Sequence, residues 1–288
     1  MADSLFDLCR CYADACAGPD GVAQTPIRGM TIVRTLHVGE LQVAVSKPLI
    51  AMLLQGRKRV TTGADSFDYG AGEAMVIAAD VPTVSQITQA SLNAPYYSLV
   101  LELDLALIRD IQAHLPPVQE RTASIRIEPF DDEVAAAAYR LVRLFDQQDA
   151  LAVLGEGLLR ELHYWLLRST HGPAIRALGR VGSQAERIYR AVTLLRQDFT
   201  RPIRIDELAA VAGMSVSAFH KHFRAITTLS PLQFQKQLRL IHARKMMLTE
   251  GKGIAPVAYA VGYVSVSHFT REYTRMFNTP PGRDKRTL

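Results

Sequence analysis

Residues 209–223 read AAVAGMSVSAFHKHF, and residues 258–273 read AYAVGYVSVSHFTREY. The two stretches are copies of one pattern. Ala209, three residues, Gly213, then Phe219 and Phe223 recurs as Ala258, three residues, Gly262, then Phe269 and Tyr273. Ser215, Ser217, Lys221 and Phe223 return 50 positions later as Ser265, Ser267, Arg271 and Tyr273. A small residue lets a second helix cross closely, and glycine permits the positive-φ turn between the two helices. The pattern predicts two helix-turn-helix units, at 205–227 and 254–277. Two such units in one chain can present two recognition helices to one face of a duplex, which points to sequence-specific DNA binding.

Helical spacing assigns the faces. Phe219 and Phe223 lie four apart and must face a core, which turns Val216, Ser217, His220, Lys221 and Arg224 outward. In the second unit, burial of Phe269 and Tyr273 turns Val266, Ser267, Thr270, Arg271 and Thr274 outward. Small polar and cationic side chains are what base edges and phosphates require. Arg224 and Arg275 sit nearer the ends of their helices and suit phosphate contact. Ser215 is placed to cap the first recognition helix, whereas Arg204 is a poor cap for the helix before it. In unit two Gly253 stands at the N-cap and Pro256 in the first turn, where a missing N–H costs little. A helix over 231–248 joins the units. At about 18 residues it spans about 27 Å, close to the about 34 Å between successive major-groove faces. His220 and His222 lack the further ligands that a zinc site needs.

Charge divides the chain. Residues 180–288 hold 18 Lys/Arg against 7 Asp/Glu, about +11; residues 1–179 hold 15 against 21, about −6. A basic half joined to an acidic half reads as a nucleic-acid module attached to something that must not bind nucleic acid. The length of 288 residues suffices for two cores. No stretch is long and charge-free enough for a membrane span. The start, MADSLFDLCR, carries acids where a secretory signal carries Lys or Arg. A cytoplasmic location is therefore expected, with no membrane partner. Cys9, Cys11 and Cys16 cluster on a predicted first helix capped by Ser4 and Asp7. They read either as reduced thiols or as a redox or metal switch.

In the acidic half, seven short runs rich in Val, Ile, Leu, Thr and Tyr predict strands at 31–37, 41–45, 49–55, 58–62, 74–78, 84–88 and 96–103. Turn residues separate them, and the spacing suggests a small barrel or jelly roll. Helices follow at 105–115, 131–146 and 150–168. The last carries a Leu/Trp stripe that either packs on its own domain or forms a dimer seam. Residues 171–183, with Gly172, Pro173, Gly179 and Gly182, read as a linker. Between His37 and His114 there is no histidine, and GxSxG, HExxH, P-loop and GxGxxG motifs are absent. Glu102 and Asp104, two apart on a strand, read as solvated surface rather than an acid–base pair. No catalytic residue, metal or cofactor is expected, and the chain is not expected to be an enzyme.

Residues 254–281, IAPVAYAVGYVSVSHFTREYTRMFNTPP, resemble the second helix-turn-helix of the AraC/XylS family of bacterial transcription regulators. The resemblance extends back through Ser230-Pro231, Arg239-Leu240 and Ala243 to Leu208-Ala209, Gly213-Met214-Ser215, Phe219 and Phe223. The acidic half is similar to the family's cupin-like N-terminal domain, at PLIAMLLQGRKRV (48–60), Phe67-Asp68-Tyr69 and Ala94-Pro95-Tyr96-Tyr97. The resemblance implies an α+β multidomain chain: a cupin-like β-barrel with flanking helices (1–170), a linker (171–183) and an all-α tandem helix-turn-helix domain of seven helices (184–288). Base contact falls on Ser217, His220, Lys221, Ser267, Thr270 and Arg271. The implied partners are double-stranded DNA, a small-molecule effector with no residues assigned to it, RNA polymerase and a second copy of the chain. Two rivals remain: a regulator whose N-terminal half only dimerises or holds a protein, and a cupin-type enzyme with an incidental basic domain. The chain departs from the family after Pro280-Pro281, where an aromatic residue and Arg are usual and Gly282-Arg283-Asp284 stands.

Overall fold

The computed structural model describes residues 4–39, 42–62, 65–78, 81–116, 125–180 and 182–284. Helix α1 (Leu5–Cys16) opens on a capping box: the Ser4 hydroxyl accepts from the Asp7 amide, and the Asp7 carboxylate accepts from the Ser4 amide. Among the described residues ten strands follow, in two antiparallel sheets. The larger runs β1 (Val22–Gln24), β2 (Met30–Thr35), β9 (Tyr96–Glu102), β4 (Leu49–Gln55), β7 (Glu73–Ile77) and β10 (Ile125–Pro129). The smaller runs β3 (Gln42–Ser46), β8 (Val81–Gln89), β5 (Arg57–Thr62) and β6 (Asp65–Gly70). The arrangement is a two-sheet sandwich of the jelly-roll kind rather than a barrel closed by hydrogen bonds. Strands β1, β6 and β10 are short or polar and carry no apolar run to announce them.

The large sheet is covered on both faces, and its central strands show it. Ile50, Met52, Ala74, Val76, Tyr97, Leu99 and Leu101 face a helical layer, while Ala51, Leu53, Met75, Ile77 and Tyr96 face the small sheet. Alternation along each strand sends successive side chains to opposite cores, so both sets must be apolar. The helical layer holds α1, α3 (Asp132–Val142), α4 (Gln148–Arg168) and α5 (Gly172–Gly179), with α2 (Leu105–Gln112) beside α4 and α5.

Helix α5 corrects the linker reading. Pro173 stands in its first turn, and Ala174, Ile175 and Leu178 are buried against the helical layer. Arg176 donates from Nε to the Leu167 carbonyl at 2.9 Å and from Nη1 to the Pro116 carbonyl at 2.8 Å. Glycine and proline here start and end a short helix rather than a flexible segment. The Leu stripe of α4 also packs inward, with Leu162, Leu166 and Leu167 buried. Its opposite face leaves Val153 81% and Leu154 52% exposed.

The C-terminal helices are α6 (Gln184–Gln197), α7 (Ile205–Ala212), α8 (Val216–Thr227), α9 (Pro231–Thr249), α10 (Ile254–Ala260), α11 (Val266–Phe277) and α12 (Pro281–Asp284). One buried cluster runs from the sandwich interior (Leu53, Tyr69, Ile87) through Ile188, Leu208, Phe219 and Phe223 to Leu238. A separate cluster holds Met247, Val257, Phe269 and Tyr273. The first helix-turn-helix thus shares its core with the sandwich, and the second has its own.

Candidate nucleic-acid interface

Each unit is assembled by local rules. In the first, Gly213 closes α7 at φ 60°, and its N–H donates to the carbonyls of Ala209 and Ala210. That left-handed conformation is why glycine recurs in the motif. Arg187 on α6 donates from Nε to the Ala212 carbonyl at 2.7 Å, covering the end of α7. The Ser215 hydroxyl then accepts from the Ala218 amide at 3.3 Å and starts α8. Phe219 and Phe223 are wholly buried, their ring centroids 5.3 Å apart, with Phe234 edge-on to Phe223 at 5.6 Å. With that face committed to the core, Ser217, His220, Lys221 and Arg224 are exposed on the other.

The second unit repeats the plan. Gly262 sits at φ 88°, and a Cβ there would lie 2.0 Å from the Thr200 carbonyl oxygen, so both conformation and space demand glycine. The Ser265 hydroxyl accepts from the His268 amide at 3.3 Å. Phe269 and Tyr273 are fully buried and Phe277 nearly so. Ser267, Arg271 and Arg275 are exposed, and Thr270 and Thr274 half-buried beside them. With Val266 they line an open groove of about 690 Å³ along α11.

Charge is distributed unevenly among the basic side chains. Arg201 pairs with Asp198 and Glu207, Arg204 with Asp206, Lys236 with Glu272, and Arg244 with Asp284. Lys221, Arg224, Arg271 and Arg275 form no salt bridge among the described residues. Four cations are therefore held outward on the two recognition helices without a salt bridge, although the Glu272 carboxylate acts on Arg275 at longer range. Lys221, Arg224 and Arg271 keep their full attraction for phosphate and for guanine acceptors.

Side chains that set the two units against each other escaped sequence reasoning. Arg239 on α9 donates to three carbonyls: Phe199 at 2.7 Å, Gly262 at 3.0 Å and Thr200 at 3.0 Å. It ties the end of α6 to the turn of unit two. Gln235, one turn earlier, donates to Phe199 and Arg201 carbonyls. Asp284 accepts a two-pronged bond from Arg244, at 2.9 and 3.1 Å, and the Tyr273 hydroxyl at 2.5 Å. The last turn is thus anchored by a buried carboxylate two positions after Gly282, which stands where the family pattern has an aromatic residue. Burial pushes the Asp284 carboxyl up, but the bonds from Arg244 and Tyr273 outweigh it and hold it below the usual range. An arginine that bonds backbone carbonyls has no pattern in sequence, although the Arg239-Leu240 match did mark the position.

Other residues read from sequence are not brought together. Glu102 ends β9 and pairs with Lys47 at 2.8 Å, whereas Asp104 caps α2 by accepting from Ala106 and Leu107. They share no face. The three thiols are free; Cys9 is buried, and Cys11 and Cys16 are exposed. Burial pushes the Cys9 thiol up to about 12.

Comparison with known proteins supplies the context. Residues 26–174 match the family model described as the AraC-type transcriptional regulator N-terminus, and residues 208–287 match one described as a helix-turn-helix domain. The HTH-type transcriptional regulator GbdR of Pseudomonas aeruginosa is 32% identical over 106 residues, 37% of this chain and 29% of that protein. The virulence regulon transcriptional activator VirF of Yersinia enterocolitica is 24% identical over 148 residues, 51% of this chain and 54% of VirF. The matches thus span between about a third and about half the length of these relatives. Among solved structures, unsaturated fatty acid-bound ToxT from Vibrio cholerae superposes with a TM-score of 0.60 at 12% identity, covering 92% of this chain and 97% of ToxT. That likeness is one of fold.

Proposed function

The chain belongs to the AraC-type transcriptional regulators, and from that premise we propose that it binds specific sites on duplex DNA through α8 and α11. The observation that carries this is the set of four outward cations, two on each recognition helix, that form no salt bridge among the described residues. Ser217, His220, Lys221, Ser267, Thr270 and Arg271 contact bases in this reading, and Arg224 and Arg275 contact phosphates. The sandwich, residues 1–170 with α5 completing its core, takes a small-molecule effector; the residues from 184 onward bind DNA. The bound fatty acid of ToxT supports a small molecule as the kind of effector. RNA polymerase is the partner through which occupancy changes transcription. The chain acts in the cytoplasm and catalyses no reaction.

The test is selection of bound fragments from random duplex DNA by the full chain, followed by titration at several salt concentrations. A recovered consensus whose affinity falls about 10³-fold or more between 50 and 200 mM salt supports the reading. Fragments of random sequence bound as well as any other would sink it.

A second reading concerns assembly. The outer face of α4, with Val153 and Leu154 exposed, lies on the same helix as a groove of about 530 Å³ lined by Ile111, Leu115, Gly157 and Tyr164 and by the charged Arg160 and Glu161. A second copy of the chain packing there gives a dimer. Sedimentation of the parent and of Val153→Asp distinguishes the cases: a dimer reduced to monomer supports it, and an unchanged mass overturns it.

A further inference from the structure

The 50-residue repeat carries core and outward positions from one unit to the other, but it breaks at a position between them. Glu272 on α11 stands where α8 has His222. Its carboxylate is turned to α9, where Lys236 Nζ donates to it at 2.6 Å. His268, one turn earlier on α11, brings Nε2 to 3.8 Å from the same carboxylate. The Glu272 side chain is only 13% exposed, although it belongs to a recognition helix. The bond from Lys236 holds the Glu272 carboxyl below its usual range against the opposing effect of burial.

The place of Lys236 along α9 gives the pair its meaning. Phe234 and Leu238 belong to the core of unit one, whereas Leu240, Ala243 and Met247 belong to that of unit two. Lys236 lies between Phe234 and Leu238, and the Phe234 ring stands edge-on to Phe223 of α8 at 5.6 Å. The ion pair therefore runs from a segment rooted in unit one to the recognition helix of unit two. Arg239, about one turn on from Lys236, bonds the Gly262 carbonyl in the turn before α11. That bond alone holds the turn and leaves the helix able to roll. The second tie, at Glu272, removes that freedom. Each helical residue advances by about 100°, so pinning Glu272 against α9 fixes the direction in which Arg271 leaves α11. An ion pair whose lysine is 40% exposed adds little stability. What it contributes is geometry.

Two readers joined by one helix engage a duplex together only when their phase matches it. One base pair added between the two half-sites turns the second by about 35°. We propose that Lys236 and Glu272 are positioning residues for DNA recognition: the pair sets the roll of α11 against unit one, and with it the half-site spacing that the chain accepts. Neither side chain has to touch a base to do so. This rests on the reading of α8 and α11 as the DNA-binding helices and names what fixes their phase.

The test uses the full chain and the duplex consensus recovered by selection, with the spacer between its halves shortened or lengthened by one base pair. The parent loses about tenfold or more in affinity at either altered spacing. Glu272→Gln and Lys236→Met narrow that difference to a few-fold, while Lys236→Arg, which keeps the pair, retains it. The double reversal of Lys236→Glu with Glu272→Lys restores the preference that each single reversal loses. Melting curves accompany every variant, since lost folding weakens all spacings alike whereas lost phase changes their ratio. A spacing preference unchanged in both Glu272→Gln and Lys236→Met overturns the proposal, as does a parent indifferent to spacing. Equal weakening at all spacings by Lys236→Met, with Glu272→Gln unaffected, also overturns it and makes Lys236 a phosphate contact. A consensus bound with a preference that ignores the pair leaves the DNA reading standing. If no consensus is recovered, that broader reading fails and takes this proposal with it.

Discussion

The hydroxyls of Thr62 and Thr228 lie 3.2 Å apart, 166 residues apart in the chain, and join strand β5 to the end of the first recognition helix. Each hydroxyl carries one proton, so when Thr62 donates to the Pro82 carbonyl it accepts from Thr228, and when Thr228 donates to the Thr227 carbonyl it accepts from Thr62. The contact sits where the sandwich core continues into the first helix-turn-helix. Helix α9 also lies beside β3 and β8. Anything that shifts β5 therefore acts on α8 before it acts on α11, whose core is separate.

Thr228 is held at φ 62°, and 50 positions later Asn278 takes the same left-handed conformation at φ 53°. A β-branched residue is strained there, by about 1–3 kcal/mol, whereas asparagine tolerates it. Thr228→Asn is expected to raise stability by about 1 kcal/mol in urea melts. A lower midpoint would show that the threonine contacts outweigh the strain.

Arg239 satisfies three backbone carbonyls with one guanidinium. Removing it leaves half-buried acceptors without donors, each worth about 1–3 kcal/mol. Arg239→Leu is expected to lower stability by about 2–4 kcal/mol and weaken specific DNA binding more than non-specific binding, because the second unit loses its fixed angle. Arg239→Lys cannot reach all three carbonyls and is expected to rescue little. Melting curves with paired DNA titrations check this; full specificity in Arg239→Leu contradicts it.

Arg271 is exposed at mid-helix, and its planar fork suits guanine O6 and N7. Arg271→Ala is expected to cost about 1–3 kcal/mol and relax specificity at one position. Arg224→Ala and Arg275→Ala are expected to weaken binding to all sequences alike. Phe269→Ala instead empties the core of unit two and is expected to cost about 3–5 kcal/mol of stability. Titrations on specific and scrambled duplexes separate these outcomes, and an Arg271→Ala protein with unchanged specificity would mean that α11 is turned otherwise on DNA.

The Asp284 carboxyl is held below its ordinary value in the folded chain. A depressed carboxylate contributes stability above its unfolded pKa and loses it as pH falls through the folded one. Asp284→Asn is thus expected to destabilise by about 2–4 kcal/mol near pH 7, leaving Arg244 and Tyr273 without their acceptor. The gap should close as pH falls below about 4, since the parent then loses the same charge. Melts of both proteins from pH 3 to 8 give the answer; a gap independent of pH would assign the effect to packing.

Much of this was legible because it is local. Ser4, Ser215 and Ser265 cap helices through bonds spanning three residues, and Gly213 and Gly262 both take positive-φ turns, to which the nearby Thr200 carbonyl adds a space requirement at Gly262 alone. The phenylalanine spacing then leaves one outward face, so the DNA-facing candidates follow from periodicity. Strands β6 and β10 were missed because Asp65–Gly70 is mostly polar at a sheet edge and β10 is the other sheet's last strand. Glycine and proline at 172–179 read as a linker because their helical role depends on a core they cannot announce.

Read alone, the chain dictates two helix-turn-helix units, their outward residues, a strand-rich acidic half and the charge contrast between the halves. Capping, turn and periodicity rules act within a few residues, so the order of amino acids suffices. Tertiary structure alone decided that the sandwich and first unit share a core, and that α5 belongs to the helical layer. It also brought Arg239 to three carbonyls, Asp284 to Arg244 and Tyr273, and Lys236 to Glu272. Most of these pairings join residues tens of positions apart. Distance and burial, which select them, exist only once the chain has closed on itself.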